Sequence, residues 1–140
     1  MKLSRLAAAL VAAMLLAACG GDAGRDGAPR AAPDPGARIY SMHCLSCHQR
    51  DGRGLGEMQP SLVAAPSVAG DPEALIAWVA FGVRPATLGE RRSVVVMPQF
   101  AWLSDADLAA VLSHVRTRLG NDYEAVTPEM VAAVRAAHGR

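Results

Sequence analysis

Apolar residues recur at helical spacing in four stretches of the chain, and the period is lost between them. Ile39, Tyr40 and Cys44 fall on neighbouring turns of a first helix. Asp34 is placed to cap that helix and Pro35 suits its first turn. Leu75, Ile76, Val79 and Ala80 share one face of a second helix, opened by Asp71-Pro72-Glu73 and stopped at Gly82. The clearest period is Leu108, Val111, Leu112, Val115 and Leu119. Ser104-Asp105-Ala106-Asp107 resembles a capping box in front of it, and Gly120 marks its end. Thr127-Pro128-Glu129 opens a last amphipathic helix through Val131 and Val134. Between these, glycines from Arg50 to Gly56 signal a loop, and residues 84–100 look irregular apart from a strand-like Val94-Val95-Val96. The pattern predicts an all-α fold of about four to five helices with long Gly- and Pro-rich loops.

Composition sharpens this picture. Two Trp, two Tyr and two Phe in 140 residues make a thin aromatic core. Long loops around so thin a core suggest that the chain wraps something other than protein. A net charge of +1 gives no sign of nucleic-acid binding. The N-terminus reads as an export signal: Lys2 and Arg5 precede an apolar run of 13 residues, Leu6 to Ala18, too short to span a bilayer. Leu16-Ala17-Ala18-Cys19 looks like a bacterial lipobox, which makes residues 1–18 a lipoprotein signal peptide and Cys19 the lipidated residue. Residues 19–33 then form a flexible tether, with a random-coil span of roughly 20–25 Å. Residues 34–121 form the main domain and 122–140 a C-terminal helical extension. Loss of Lys2 leaves no lysine in the mature chain.

The chemistry centres on Cys44-Leu45-Ser46-Cys47-His48. Structural zinc needs four ligands, and no cysteine follows Cys47, while His43, His114 and His138 are scattered. A redox dithiol belongs at a strand-to-helix turn, and here the pair sits in a helix. A plain disulfide leaves His48 unexplained. Haem attachment fits best. Cysteines at i and i+3 lie on one side of a helical turn, so both sulfurs can bond one haem. His48 follows at once, and its imidazole can reach the iron. The cysteines are then all used: Cys19 for lipid, Cys44 and Cys47 for haem.

At these residues the chain resembles the class I (mitochondrial-type) cytochromes c, and most nearly the bacterial monohaem domains that serve membrane dehydrogenases and oxidases. The resemblance runs from about residue 36 to 121. It rests on Gly36 and Tyr40, the Cys44–His48 motif, Pro60-Ser61-Leu62, Met97-Pro98 and the helix after Ser104. It implies a cytochrome c fold wrapped around one covalent haem c. It also implies that the Pro60 carbonyl accepts a hydrogen bond from the His48 ring. Met97, 49 residues after His48, stands where the family places its sulfur ligand to iron. Met58 is a rival in the loop close to His48, whereas Met42 and Met130 read as packing or surface. Tyr40, Trp78, Phe81, Phe100 and Trp102 are expected to pack on haem or between helices, and His43 and His138 to be exposed. His114 departs from the family pattern, which often has an aromatic residue there to meet Gly36.

The resemblance implies one-electron transfer rather than catalysis, by a lipid-anchored carrier on the periplasmic face of a bacterial membrane. Its partners would be redox proteins of the membrane or periplasm, such as a respiratory or dehydrogenase donor and a terminal oxidase, with no small-molecule substrate. One alternative is a haem-binding subunit docked through its tail helix onto a larger membrane oxidoreductase. Another is a peroxidase or gas-binding protein with a labile Met97.

Overall fold

The computed structural model describes residues 34–56, 58–88 and 95–138. The expected signal peptide, lipidated Cys19 and tether lie outside the described residues. Among those described, the elements are helical, with no strand, and no helix is long and apolar enough to cross a membrane. Helices α1 (Pro35–His43), α2 (Leu45–His48), α3 (Pro66–Ala69), α4 (Pro72–Phe81), α5 (Asp105–Thr117) and α6 (Pro128–Ala137) follow in order, with a 3-10 turn at Ala86–Leu88. The four longer ones are those the periodicity predicts. The short α3 and the 3-10 turn have too few residues to show a period.

Each long helix starts on a side-chain cap. Asp34 accepts from the Gly36 amide, Asp71 from Glu73, Ser104 from Asp107 and Thr127 from Met130. These bonds satisfy amides that the first helical turn leaves without partners. Gly82 closes α4 in the left-handed conformation (φ 73°). Helix α5 ends at Thr117, before the expected Leu119 and Gly120. Arg118 is extended there and Leu119 takes φ 52°, so the chain reverses and carries Asn121 back under the helix.

One core joins the elements. Ile76, Leu108 and Val131 are fully buried, from α4, α5 and α6 respectively. Helix α1 crosses α5 at Gly36, where a Cβ would lie 2.1 Å from the Ala110 carbonyl oxygen and 2.8 Å from the His114 Cβ. Only glycine allows this approach. The crossing expected of an aromatic residue is therefore made with His114 instead. Its ring lies 5.5 Å from that of Tyr40, and its Nδ1 is 2.8 Å from Asp34 Oδ2. The C-terminal extension packs on α4 and α5, with Val131 and Val134 buried. Its valine stripe is thus used within the domain and is not free to dock elsewhere.

Arg116 is buried at the end of α5. Its guanidinium donates to the carbonyls of Val68 (2.5 Å), Gly70 (2.9 Å) and Glu124 (2.7 Å). It ties the short α3 to the segment that leads into α6. Trp102 is 64% exposed and touches His43 edge-on at 5.2 Å, so it does not pack between helices. Two expectations need correction. His138 is half-buried, its ring 5.1 Å from that of Phe81. Val95 and Val96 belong to no strand, Val96 being 86% exposed, while Val94 lies outside the described residues.

Candidate functional site

The attachment motif occupies a helical turn. The Cys44 amide bonds the Tyr40 carbonyl (2.9 Å) and the His48 amide bonds the Cys44 carbonyl (2.9 Å), so α2 continues the path of α1. Cys44 and Cys47 are free, half-buried thiols. Burial, and then the neighbouring Cys47, pushes the Cys44 thiol up to about 11. In this state it is protonated at neutral pH.

His48 is buried at the C-terminus of α2. Burial lowers its pKa, and the Pro60 carbonyl opposes that shift. The ring stays neutral at neutral pH, which leaves a nitrogen lone pair for a metal. Its Nδ1 makes no hydrogen bond of regular geometry, so the Pro60 carbonyl is close enough to act on the ring without completing a bond. The loop that brings Pro60 to this place depends on glycine. Gly54 has φ 70°, and a Cβ on it would meet the Gln59 carbonyl oxygen at 2.1 Å and that of Pro60 at 2.9 Å. The Gly54 amide bonds the His48 carbonyl (3.1 Å), and the Leu62 amide bonds the Gly52 carbonyl (2.7 Å).

Two further residues hold this loop, neither of them a site candidate in the sequence reading. Tyr40 donates its hydroxyl to the Gln49 carbonyl (2.7 Å), fixing the turn just after His48. Burial, with smaller contributions from Cys44 and Asp51, pushes that hydroxyl up to about 12, so it remains a donor. Asn121 is buried and fully used: its Oδ1 accepts from the Ala64 amide (2.8 Å), and its Nδ2 donates to Leu62 (3.1 Å) and Val115 (2.8 Å). The only sequence signal was an asparagine beside the helix-ending Gly120.

Met97 is half-buried and rests against the same core as Cys44 and Leu45, although it comes from a separate loop. That loop is pinned by the Phe100 amide on the Val79 carbonyl (3.0 Å). Met58, by contrast, is 54% exposed, and Met42 is exposed as well. Met130 packs against the core from α6.

A buried imidazole, two thiols on one turn beside it and a half-buried methionine from a separate loop are residue types that can hold a haem. The sequence profile of the family described as cytochrome c oxidase, cbb3-type, subunit III matches residues 31–115. The chain belongs to the cytochrome c family. Over 111 residues this cytochrome is 33% identical to cytochrome c-552 of Thermus thermophilus, covering 72% of its own length and 84% of the relative. Over 90 residues it is 40% identical to the cytochrome c subunit of a quinone alcohol dehydrogenase from Gluconobacter oxydans, covering 62% of its own length and 19% of the relative. It is 33% identical over 109 residues to the fructose dehydrogenase cytochrome subunit of Gluconobacter japonicus, covering 72% and 22%. The cytochrome thus spans about a fifth of the length of these two subunits.

Membership assigns covalently bound haem c as the cofactor and electron transfer as the activity. The cytochrome's own residues fit that group. Two thiols free of any disulfide sit on one turn, and the histidine beside them is buried.

Proposed function

We propose that the chain is a lipid-anchored, single-haem cytochrome c that passes one electron at a time between protein partners at the periplasmic face of a bacterial membrane. Cys44 and Cys47 would hold the haem covalently, and His48 and Met97 would bind its iron. Bound there, haem supplies the one-electron ferric–ferrous couple, and a methionine ligand raises its potential. The Pro60 carbonyl orients the His48 ring and makes it a stronger donor. Cys19, the lipobox cysteine, carries the anchor. The observation that carries the reading is the buried His48 ring next in sequence to one of two free thiols on the same turn.

Expression with a haem-ligation system should give a protein that keeps haem through denaturing electrophoresis. The Cys44→Ala/Cys47→Ala variant should lose covalent haem and unfold, because the thin core lacks its largest component. A well-folded double variant without haem would overturn the reading of haem as part of the core.

The Gluconobacter relatives are named as dehydrogenase subunits, and this favours a second placement. The chain would then accept electrons within a larger membrane oxidoreductase. Mild solubilisation of native membranes distinguishes the two: a free carrier migrates alone, and a subunit migrates with its complex.

A further inference from the structure

We propose that Arg135, on the C-terminal helix α6, is a positioning residue for Met97. The proposal rests on the reading of Met97 as the sulfur ligand. The Arg135 guanidinium forks onto one short segment: Nη1 donates to the Ala101 carbonyl (2.8 Å), Nη2 to the Leu103 carbonyl (2.5 Å) and Nε to Asp105 Oδ1 (2.6 Å). This segment is the C-terminal root of the methionine loop. Residues 95–104 form no helix or strand, so their path is set by individual ties. One tie is the Phe100 amide on the Val79 carbonyl. The fork is another, with three bonds from one side chain.

The base from which Arg135 reaches is itself fixed. Val131 and Val134 are buried against the core, and the His138 ring lies against Phe81. The arginine is only 17% exposed, so water competes weakly for its three acceptors. A sulfur ligand is in equilibrium with a detached state whose population grows with the slack of its loop. A rigid three-point clamp on the loop's root removes slack, and so favours the attached state. An outside ligand that binds iron only when the sulfur is off reads that population directly. Lysine would keep the charge facing Asp105 but could not fork onto both carbonyls.

The test uses the full-length holoprotein in the ferric state, titrated with imidazole and followed by its optical spectrum. Arg135→Leu should bind imidazole roughly tenfold more tightly than wild type, a coupling of ordinary size for one such network. Arg135→Lys should fall between, and Asp105→Asn should shift less in the same direction. Arg116→Leu is the control for general loosening. It removes another buried arginine, whose acceptors lie at Val68, Gly70 and Glu124, away from the methionine loop. It should lower stability yet leave imidazole affinity within about twofold. An Arg135→Leu affinity equal to wild type, or an Arg116→Leu shift as large as that of Arg135→Leu, would refute the positioning role. If Arg135→Leu fails to retain haem, the Arg135→Lys and Asp105→Asn titrations decide by the same criterion. Met97→Ala separates the two layers. If it binds imidazole no more tightly than wild type, the ligand reading fails. If it binds far more tightly while Arg135→Leu does not, only the role of Arg135 fails.

Discussion

The two sides of the haem site are built in different ways. The attachment side is mostly local: Cys44, Cys47 and His48 lie on one turn, Tyr40 braces Gln49 from nine residues away, and Gly52 and Gly54 fold residues 59–62 back onto the turn. The methionine side has no regular structure of its own. It is held by Val79 from α4 and by Arg135, more than thirty residues further on. A locally built site places its ligand as soon as its helix forms. A remotely held loop places its ligand only when the whole fold is complete. The methionine side is therefore the side expected to open first.

The largest effect should come from removing the sulfur itself. Met97→Ala should convert a ferrous protein that resists carbon monoxide into one that binds it readily, while denaturing electrophoresis still shows covalent haem. Both halves of that result matter. Loss of haem from the variant would mean that the attachment side is not self-sufficient, and an unchanged spectrum would mean that Met97 is not the ligand.

This difference also explains what could be read from the sequence. The caps at Asp34, Asp71, Ser104 and Thr127 are local chemistry, and so are the helices they open. The Cys44–His48 motif is equally local, and its haem reading followed from its spacing, the missing further zinc ligands and the use found for every cysteine. Met97 needed a family resemblance, because a methionine in an irregular stretch has no pattern to mark it. Arg116, Asn121 and Arg135 were not legible. Each acts through backbone carbonyls or amides brought near by the fold, and a carbonyl leaves no trace in the residue type that carries it.

Gly36→Ala tests the frame from which both loops hang. Its Cβ would sit 2.1 Å from a backbone oxygen of α5, which cannot swing aside as a side chain would. The two helices must separate, at a cost of about 3 kcal/mol. A denaturant midpoint close to wild type would show that the crossing is looser than its geometry implies.

Asn121→Ala probes a remote tie on the mostly local side. It would leave the Ala64 amide and the Leu62 and Val115 carbonyls without their partner. Allowing for water reaching the two less buried groups, the loss should be about 2 kcal/mol. If attachment is local, carbon monoxide resistance should be retained in this variant. Its loss at equal haem content would mean that residues 62–64 also support the methionine side, and the contrast between the two sides would have to be withdrawn.

The smallest effect concerns acid. Asp34 both caps α1 and meets His114 of α5. Burial alone would raise its pKa, but the hydrogen bonds from His114 and from the Gly36 and Ala37 amides outweigh it and hold the carboxyl below its ordinary 3.8. The folded state thus binds this proton less readily than the unfolded chain does. Its contribution to stability is complete above pH 3.8 and is lost as pH falls through the lowered folded-state value. The carboxylate is nearly half exposed, so solvent screens the pair and the contribution is modest. Asp34→Asn keeps a capping side chain but removes the charge. Wild type should be the more stable protein at about pH 5, and the difference should shrink toward about pH 3. Paired denaturant titrations at the two pH values measure it, with any acid effect on the haem ligands common to both proteins and cancelling in the difference. A gap that stayed constant with pH would place the stabilisation in the cap alone and remove His114 from the account of the helix crossing.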